Sequence, residues 1–451
     1  MSDTIAAIAT AAVPSAIGIV RLSGEDAIAC LDAIFTARSG RPMRACSDRH
    51  LMLGTVHDRR GRVIDEALAT VSRAPNSYTG EDTAELQCHG SPAVLAAALD
   101  ALFAAGARQA RPGEFTRRAF LNGRMDLVQA EAVADLIDAE TAEQAANAAG
   151  QLAGAIQTRL APVYTALTDI LAHFHAALDY PDEDIDPFHL AEYDKTLSDA
   201  AGTLAALLAT ADRGRVLRKG VRTVILGRPN AGKSSLLNAL AGYRRVIVSD
   251  TPGTTRDTVE ERVQLGRVLL RLTDTAGIRE SGDALEQAGV ALAKQAAASA
   301  DLALFVCDGS QPLTQADYDA MEAAKTAAAV IALRNKADLP QTGELLPFET
   351  VLPISAKTGA GLDALTAAVE ARFASGAPCD GSILTNTRQV GAIERARASI
   401  VRARETMQLG FPPDAVLSDV EQAMEALAEL TGRTVREDVV SRIFERFCVG
   451  K

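Results

Sequence analysis

The period of apolar and polar positions changes repeatedly along the chain, and each change marks a different kind of structure. Up to about residue 118 the text is mixed: "IGIVRLSG" reads as a strand entering a helix N-terminus, and "PNSYTGED" is turn-rich. From about 126 to 215, Ala, Leu and Glu recur at helical spacing, with one acidic break at "YPDEDIDP". From about 221 to 373, β-rich runs (VRTVILG, VLLRLTD, DLALFVCD, AVIALRN) alternate with helical stretches, which predicts βαβ units and a parallel sheet. After "GAPCDGS" the pattern is helical again from Asn386 to the end. An α/β module therefore sits between two helical stretches, and the simplest geometry inserts it into one helical domain whose halves pack together. The expected partition is an α+β domain over 1–118, a first helical part over 119–216, the module over 217–375 and a second helical part over 376–451.

Composition changes this picture little. At 451 residues the length suits about three domains, and 48% hydrophobic residues suffice for separate cores. The opening MSDTIAAIAT lacks the positive charge of a secretory signal. The longest Ala/Leu-rich run, Ala93 to Ala107, is broken by Asp100 and is too short to span a bilayer. Six cysteines (30, 46, 88, 307, 379, 448) are scattered without metal-ligand spacing, which fits free thiols in a reducing cytoplasm. Net charge is −12, so a nucleic-acid contact must use a local patch or a partner's surface. Two patches exist: Arg108, Arg111, Arg117, Arg118 and Arg124, and then Arg213, Arg215, Arg218, Lys219 and Arg222. Solvated arginines near domain joints account for either equally well.

The chemistry is concentrated in the α/β module. "VILGRPNAGKSS" carries Gly227, Gly232, Lys233 and Ser234 in the spacing G-x-x-x-x-G-K-[ST], between an apolar strand and the helical "SLLNAL". Glycines let backbone N–H groups close on phosphate oxygens, and the helix N-terminus adds partial positive charge. The phosphate loop comprises Asn230, Ala231, Gly232, Lys233, Ser234 and Ser235, with Lys233 for the β- and γ-phosphates and Ser234 for Mg²⁺. "DTAG", that is Asp274, Thr275, Ala276 and Gly277, follows VLLRLT and suits a water on Mg²⁺ and the γ-phosphate. "NKAD" follows AVIALR: Asp338 can accept both the N1–H and the amine of guanine, Asn335 braces the loop, and the Lys336 stem packs on the base. "SAK", Ser355, Ala356 and Lys357, follows VLPI and closes over the guanine carbonyl. Between the first two motifs, "SDTPGTTRD" holds Ser249, Asp250, Thr251, Thr254 and Thr255, of which Thr255 is the expected switch ligand of Mg²⁺. These motifs, in order and at strand ends, predict a Ras-like P-loop G domain that hydrolyses GTP.

The residue after DxxG is Ile278, which cannot orient the attacking water as a Gln does in many GTPases. The following "RESGDALEQAG" supplies Glu280, Asp283 and Glu286 as carboxylates. Arg256, Arg279 and a monovalent cation are candidates for offsetting transition-state charge, and the Asn230 side-chain carbonyl can coordinate such a cation.

Taken together, the G motifs, "GTTRD", the inserted arrangement, and the strings "GIVRLSG", "PNSYTGEDTAELQCHG", "RPGEFTRRAFLNGRMDL", "QAEAVADLIDA" and terminal "CVGK" resemble the tRNA-modification GTPases known as MnmE or TrmE, end to end. The resemblance implies that the N-terminal α+β domain binds a tetrahydrofolate derivative (5-formyl or methylene form) and makes a homodimer. It implies a flavoprotein partner, MnmG (GidA), in a heterotetramer, which together install a carboxymethylaminomethyl-type group at carbon 5 of the wobble uridine of certain tRNAs in the cytoplasm. It implies potassium in the GTPase site, held at Asn230, Ser249, Thr251 and Thr254, and activation by G-domain pairing. It selects Glu286 as the catalytic carboxylate and places Arg21, Glu85, Arg124 and Lys451 at folate, with Arg124 standing where Lys is usual. Cys448 superficially fits a prenylation signal, but Gly450 and the terminal Lys451 suit it poorly. The helix "TVREDVVSRIFERF" carries Val435, Val439, Val440, Ile443, Phe444 and Phe447 as an apolar stripe, which would pack it and aim the tail into the folate pocket. Cys448 there would be a nucleophile, a proton donor or a redox-sensitive spectator. Cys88 and His89 are expected to be structural, and His173 and His175 lie too close in sequence to share a helix face. The alternative function is a GTPase switch in ribosome assembly, which would favour a basic RNA-binding domain that the sequence does not display.

Overall fold

The computed structural model describes residues 3–11, 13–179, 190–243, 260–273, 294–342, 345–374, 376, 379–434, 437–445 and 447–450. The chain opens with β1 (Ile5–Ile8), β2 (Ser15–Ser23), α1 (Ala27–Ile34), β3 (Phe35–Ala37), β4 (Met52–His57), β5 (Val63–Ser72), β6 (Thr83–Gly90), α2 (Pro92–Ala104) and β7 (Arg108–Gln109). These strands form one sheet in the order β3-β4-β5-β6-β2-β1-β7, antiparallel except for the β1–β7 pair. Strand alternation decides what each face meets. Val20, Leu22, Ala69, Val71 and Leu86 point to α1 and α2 and are buried. Gly18 lets α2 approach so closely that a Cβ there would lie 2.4 Å from Leu95. Arg21 and Glu85 point to the other face, directly opposite one another in the register.

Next come α3 (Glu114–Leu121), α4 (Leu127–Ile137), α5 (Ala142–Leu152), α6 (Ala155–Asp179), α7 (Leu190–Leu208) and α8 (Ala211–Lys219). Capping boxes start two of them: Asp126 with Gln129 for α4, and Thr141 with Gln144 for α5. The module contains β8 (Val221–Leu226), α9 (Lys233–Tyr243), β9 (Glu260–Leu265), β10 (Val268–Thr273), β11 (Leu302–Asp308), α10 (Gln315–Ala324), β12 (Val330–Asn335), β13 (Val351–Pro353) and α11 (Leu362–Phe373). Its sheet runs β13-β12-β11-β8-β10-β9 and is parallel except for the edge pair β9–β10. The apolar run of β11 is buried at all seven positions, as a strand covered on both faces requires. The antiparallel strand β9 is absent from the sequence reading, because EERVQL has too few apolar residues to announce it.

The chain ends with α12 (Thr387–Gln408), α13 (Pro413–Thr431) and α14 (Glu437–Phe444). The two helical stretches do share one core: Leu167 and Leu204 from before the module pack with Ile393, Ile400 and Leu427 from after it. A buried ion pair joins them as well, Arg388 to Glu131 at 2.8 Å, and Arg388 also donates to the Leu430 carbonyl at the end of α13. The module is thus an insertion held by both sides. It docks on the helical domain through Arg262–Glu140 at 2.6 Å and Arg267–Glu143 at 3.0 Å. Arg218 pairs with Asp135, and Arg215 and Arg222 with Asp301, so the second arginine patch is largely consumed at this joint. The expected cuts at 118/119 and 216/217 fall inside α3 and α8, which run continuously through them. Among the described residues no helix is long and apolar enough to cross a membrane.

Candidate functional site

The phosphate loop joins β8 to α9. Its glycines are forced: Gly227 (φ +154°) would bring a Cβ to 2.1 Å from the Val306 carbonyl, and Gly232 (φ +99°) would drive one into the Asn335 amide at 2.1 Å. Asn230 is itself left-handed, at φ +62°. Lys233 donates to the Gly227 and Arg228 carbonyls at 2.9 and 2.8 Å, which holds its ammonium over the loop. Ser234 and Ser235 are exposed in the first turn of α9, where backbone N–H groups await an acceptor.

Two other loops meet it, the one after β12 and the SAK loop. Asn335 is buried and donates to the Ala231 carbonyl at 2.8 Å while accepting from the Ala356 amide at 3.0 Å, so it clamps the phosphate loop to the SAK loop. Ser355 donates to Asp338 Oδ1 at 2.7 Å and accepts from the Thr358 amide. The Ser355 hydroxyl first, then a backbone hydrogen bond at Asp338 itself, and less strongly Lys357 and Lys336, hold the Asp338 carboxyl below the ordinary aspartate range. Asp338 is therefore an exposed, ionised, acceptor-only group, as two N–H donors of guanine demand.

Sequence reasoning missed Asp308. It ends β11 and is buried, pairing with Lys336 at 2.6 Å and lying 3.9 Å from the Arg228 guanidinium of the phosphate loop. Burial alone would raise its pKa, but Lys336 and Ser310 outweigh it and hold the group low. An acid closing an otherwise apolar strand was the signal available. Ser249, Asp250, Thr251, Thr254, Thr255, Asp274, Thr275, Ala276, Gly277 and Glu286 lie outside the described residues, as do Ile278, Arg279 and Arg256.

A second constellation lies on the N-terminal sheet. Arg21 Nε donates to Glu85 Oε1 at 2.7 Å, and the guanidinium sits 5.7 Å from the Tyr78 ring and 6.0 Å from the Phe115 ring. Neither ring stands out from the sequence, although Tyr78 belongs to the turn-rich "PNSYTGED". Arg124 packs over the Gly80 turn two residues beyond Tyr78, and a Cβ on Gly80 would lie 3.3 Å from its Cγ. The C-terminal tail reaches the same domain. Val440, Phe444 and Phe447 are buried against Leu127 and Val133, while Val435 and the Val439 side chain lie outside the description. Val449 then bridges to Pro112, the Gly113 amide donates to the Cys448 carbonyl, and Gly450 lies against the Ile8 carbonyl, next to the β2 partner of β1. The tail is thus placed, and the Cys448 thiol is exposed on it. Lys451 lies outside the described residues. The His89 ring pairs with Asp65 at 2.8 Å, and among the described residues no group of three or more His, Cys, Asp or Glu is placed to hold a metal ion.

The model of the MnmE helical domain matches residues 127–448, and that of the GTP-binding protein TrmE N-terminus matches residues 4–124. A tRNA modification GTPase MnmE from Roseiflexus sp. (strain RS-1) is 44% identical over 466 residues, covering 100% of this chain and 99% of that one. Those of Chloroflexus aurantiacus and Alkaliphilus oremlandii are 45% and 40% identical, with 100% of both chains covered in each case. Among solved structures, a point variant of Era from Aquifex aeolicus bound to GDP and AlF4⁻ is 28% identical over 40% of this chain and 66% of that one, at a TM-score of 0.27.

Proposed function

The chain belongs to the MnmE family of tRNA modification GTPases, and from that premise we propose that it works with an FAD-dependent MnmG partner to add a carboxymethylaminomethyl-type group to carbon 5 of the wobble uridine of certain tRNAs. It is a GTPase acting in tRNA modification. The observation that carries the finer reading is the placed tail, which brings Cys448 and Gly450 to the sheet that holds the Arg21–Glu85 pair. A G domain serving only as a switch has no need of a thiol docked on a separate domain, so the ribosome-assembly alternative loses its support.

The residues present fit the groups this reading requires. Ser234 with Thr255 would hold Mg²⁺, with Asp274 on one of its waters, and the ion would supply charge to the β- and γ-phosphates. Asn230, with Ser249, Thr251 and Thr254, would hold potassium, which adds positive charge beside the transferring group. The left-handed Asn230 leaves its side chain exposed on the loop for that purpose. Arg21, Glu85, Arg124 and Lys451 would hold the tetrahydrofolate derivative, which supplies the one-carbon unit. Glu85 offers acceptors for N–H groups of a pterin-like ring, and Arg21 and Arg124 offer charge for its carboxylates. The chain acts in the cytoplasm as a homodimer. The sheet face left uncovered supports the dimer: Ile17, Leu53 and Leu68 are all exposed on it.

Wobble-uridine analysis by nucleoside mass spectrometry of tRNA from a deletion strain tests the reading. Loss of the modified uridine is expected; unaltered uridines with defective ribosomal subunits would sink it. Glu286 is proposed to orient the attacking water, so Glu286→Ala should lower potassium-stimulated turnover about a hundredfold or more while GTP affinity stays nearly intact. Wild-type turnover by that variant would remove Glu286 from the role.

A further inference from the structure

Two cations and two acids are packed together where the phosphate loop meets the end of β11, and the nucleotide motifs account for only Lys336 among them. Arg228 follows Gly227 in the phosphate loop, at a position that the G-x-x-x-x-G-K-[ST] spacing leaves free. Asp308 closes β11, and Asp317 lies in the first turn of α10. Both acids are buried, with side chains 6% and 1% exposed, so water screens neither charge.

Asp308 is held through both oxygens. Its Oδ1 accepts from the Ser310 amide at 3.0 Å and from the Ser310 hydroxyl at 2.7 Å. Its Oδ2 accepts from Lys336 Nζ at 2.6 Å. A carboxylate fixed by its own turn is a rigid anchor for that ammonium. Lys336 needs one, because its backbone is left-handed at φ +62°, a conformation that a residue with a side chain keeps only where its surroundings hold it. Gln341 Nε2 steadies the loop from the other side, donating to the Lys336 carbonyl at 2.9 Å. Arg228 brings in the phosphate loop. Its guanidinium lies 3.9 Å from Asp308 and 3.5 Å from Asp317, as charge contacts longer than hydrogen bonds. Its carbonyl accepts from Lys233 Nζ at 2.8 Å. One buried carboxylate therefore connects the loop of the phosphate lysine to the lysine of the base loop.

We propose that Asp308 is a positioning residue for the guanine nucleotide: it fixes the Lys336 ammonium so that the stem lies where the base packs, and through Arg228 it sets that stem in register with the phosphate loop. The assignment rests on placing guanine at Asp338 and the Lys336 stem. Geometry favours positioning over a purely structural role. An acid kept only for stability could be an apolar side chain instead, since a buried ion pair contributes little net stability. This acid directs its charge at a residue that is half open to the site, with 36% of its side chain exposed.

The test measures the Kd of a fluorescent GDP analogue, and GTP turnover, on the full-length protein. Asp308→Asn keeps an acceptor for Ser310 and loses the charge that faces Lys336. Lys336→Met keeps the stem and loses the ammonium. Each should raise Kd about tenfold, with the loss in turnover falling on KM and not on kcat. The double variant should also stand about tenfold above wild type, not about a hundredfold, because both changes remove the same contact. Arg228→Met should raise Kd about threefold, and Arg228→Lys should stay within about twofold of wild type, since the contacts it replaces are point-charge contacts. Ser310→Ala leaves the carboxylate in place and repeats the cycle where Asp308→Asn does not fold: about threefold alone, and nothing in the Lys336→Met background. Additive effects overturn the proposal. So does wild-type affinity in Asp308→Asn beside a weakened Lys336→Met, or a loss confined to kcat. Failure of the underlying placement shows separately, as a GTP preference retained by Asp338→Asn. A switch to xanthosine triphosphate by that variant, with additive effects in the cycle, rejects the positioning role alone.

Discussion

Asp338→Asn should cost the protein its GTP turnover at ordinary substrate levels and give it turnover of xanthosine triphosphate. In the proposed role the carboxylate would accept from two guanine N–H groups, and both bonds would be charge-assisted. Each is worth about 1.5–3 kcal/mol, so their joint loss weakens GTP by two to four orders of magnitude or so. An Asn side chain presents one acceptor and one donor, which matches xanthine, whose exocyclic group is a carbonyl. The loop should survive the change, because Ser355 can still donate to the Asn carbonyl oxygen and Asn335 still clamps Ala231 to Ala356. Steady-state kinetics with both nucleotides checks this. Retained GTP preference would remove Asp338 from base recognition. The low pKa of Asp338 gives a matching pH expectation: the carboxylate is ionised throughout the neutral range, and guanine selectivity fades only as pH falls through that lowered pKa.

Gly450→Val should abolish tRNA modification and leave GTP hydrolysis intact. Gly450 has φ +100°, a conformation that a β-branched residue does not adopt without strain, and its Cβ would lie 2.3 Å from the Ile8 carbonyl. That carbonyl belongs to backbone at the end of β1 and cannot swing aside, so the tail must leave. The bridge from Val449 to Pro112 goes with it, while α14 keeps its seat through Phe444 and Phe447. The G domain has no part in this contact. Cys448→Ser is the companion: the tail stays docked, the thiol is gone, and the same separation of activities is expected. Nucleoside mass spectrometry and a GTPase assay on both variants give the answer. Normal modification by Gly450→Val would show that the placed tail is not needed, and a fall in GTP hydrolysis would show that the change spread beyond the tail.

The division between what was legible and what was not follows the range of the interactions. The fold of the G domain was legible in its motifs, because a phosphate loop and a base-specificity loop are made of short segments whose chemistry is written in adjacent positions. Asn335 could be named as a brace from four letters. That its partners are Ala231 and Ala356 follows from the sheet order, which sets β12 beside β11 and β11 beside β8. Asp308 was missed, although it closes an apolar strand, because its importance depends on Lys336 and Arg228, residues in two other segments. Helical periodicity likewise announced the apolar faces of the two helical stretches, and their joining into one core was the simplest inference from an insertion.

By itself, then, the sequence determined the local periods, the order of the domains, the GTP loops and a terminal thiol with an apolar helix before it. Tertiary structure alone decided which arginines were already spent. Arg108 and Arg118 are consumed by carboxylates from three separate segments, and Arg117, Arg124 and Arg433 come together at one cavity that no window of sequence contains. The physical reason is that charge is neutralised by whatever folds beside it, at a few ångströms, and proximity between positions 117 and 433 is created only when α13 packs against the α3–α4 corner.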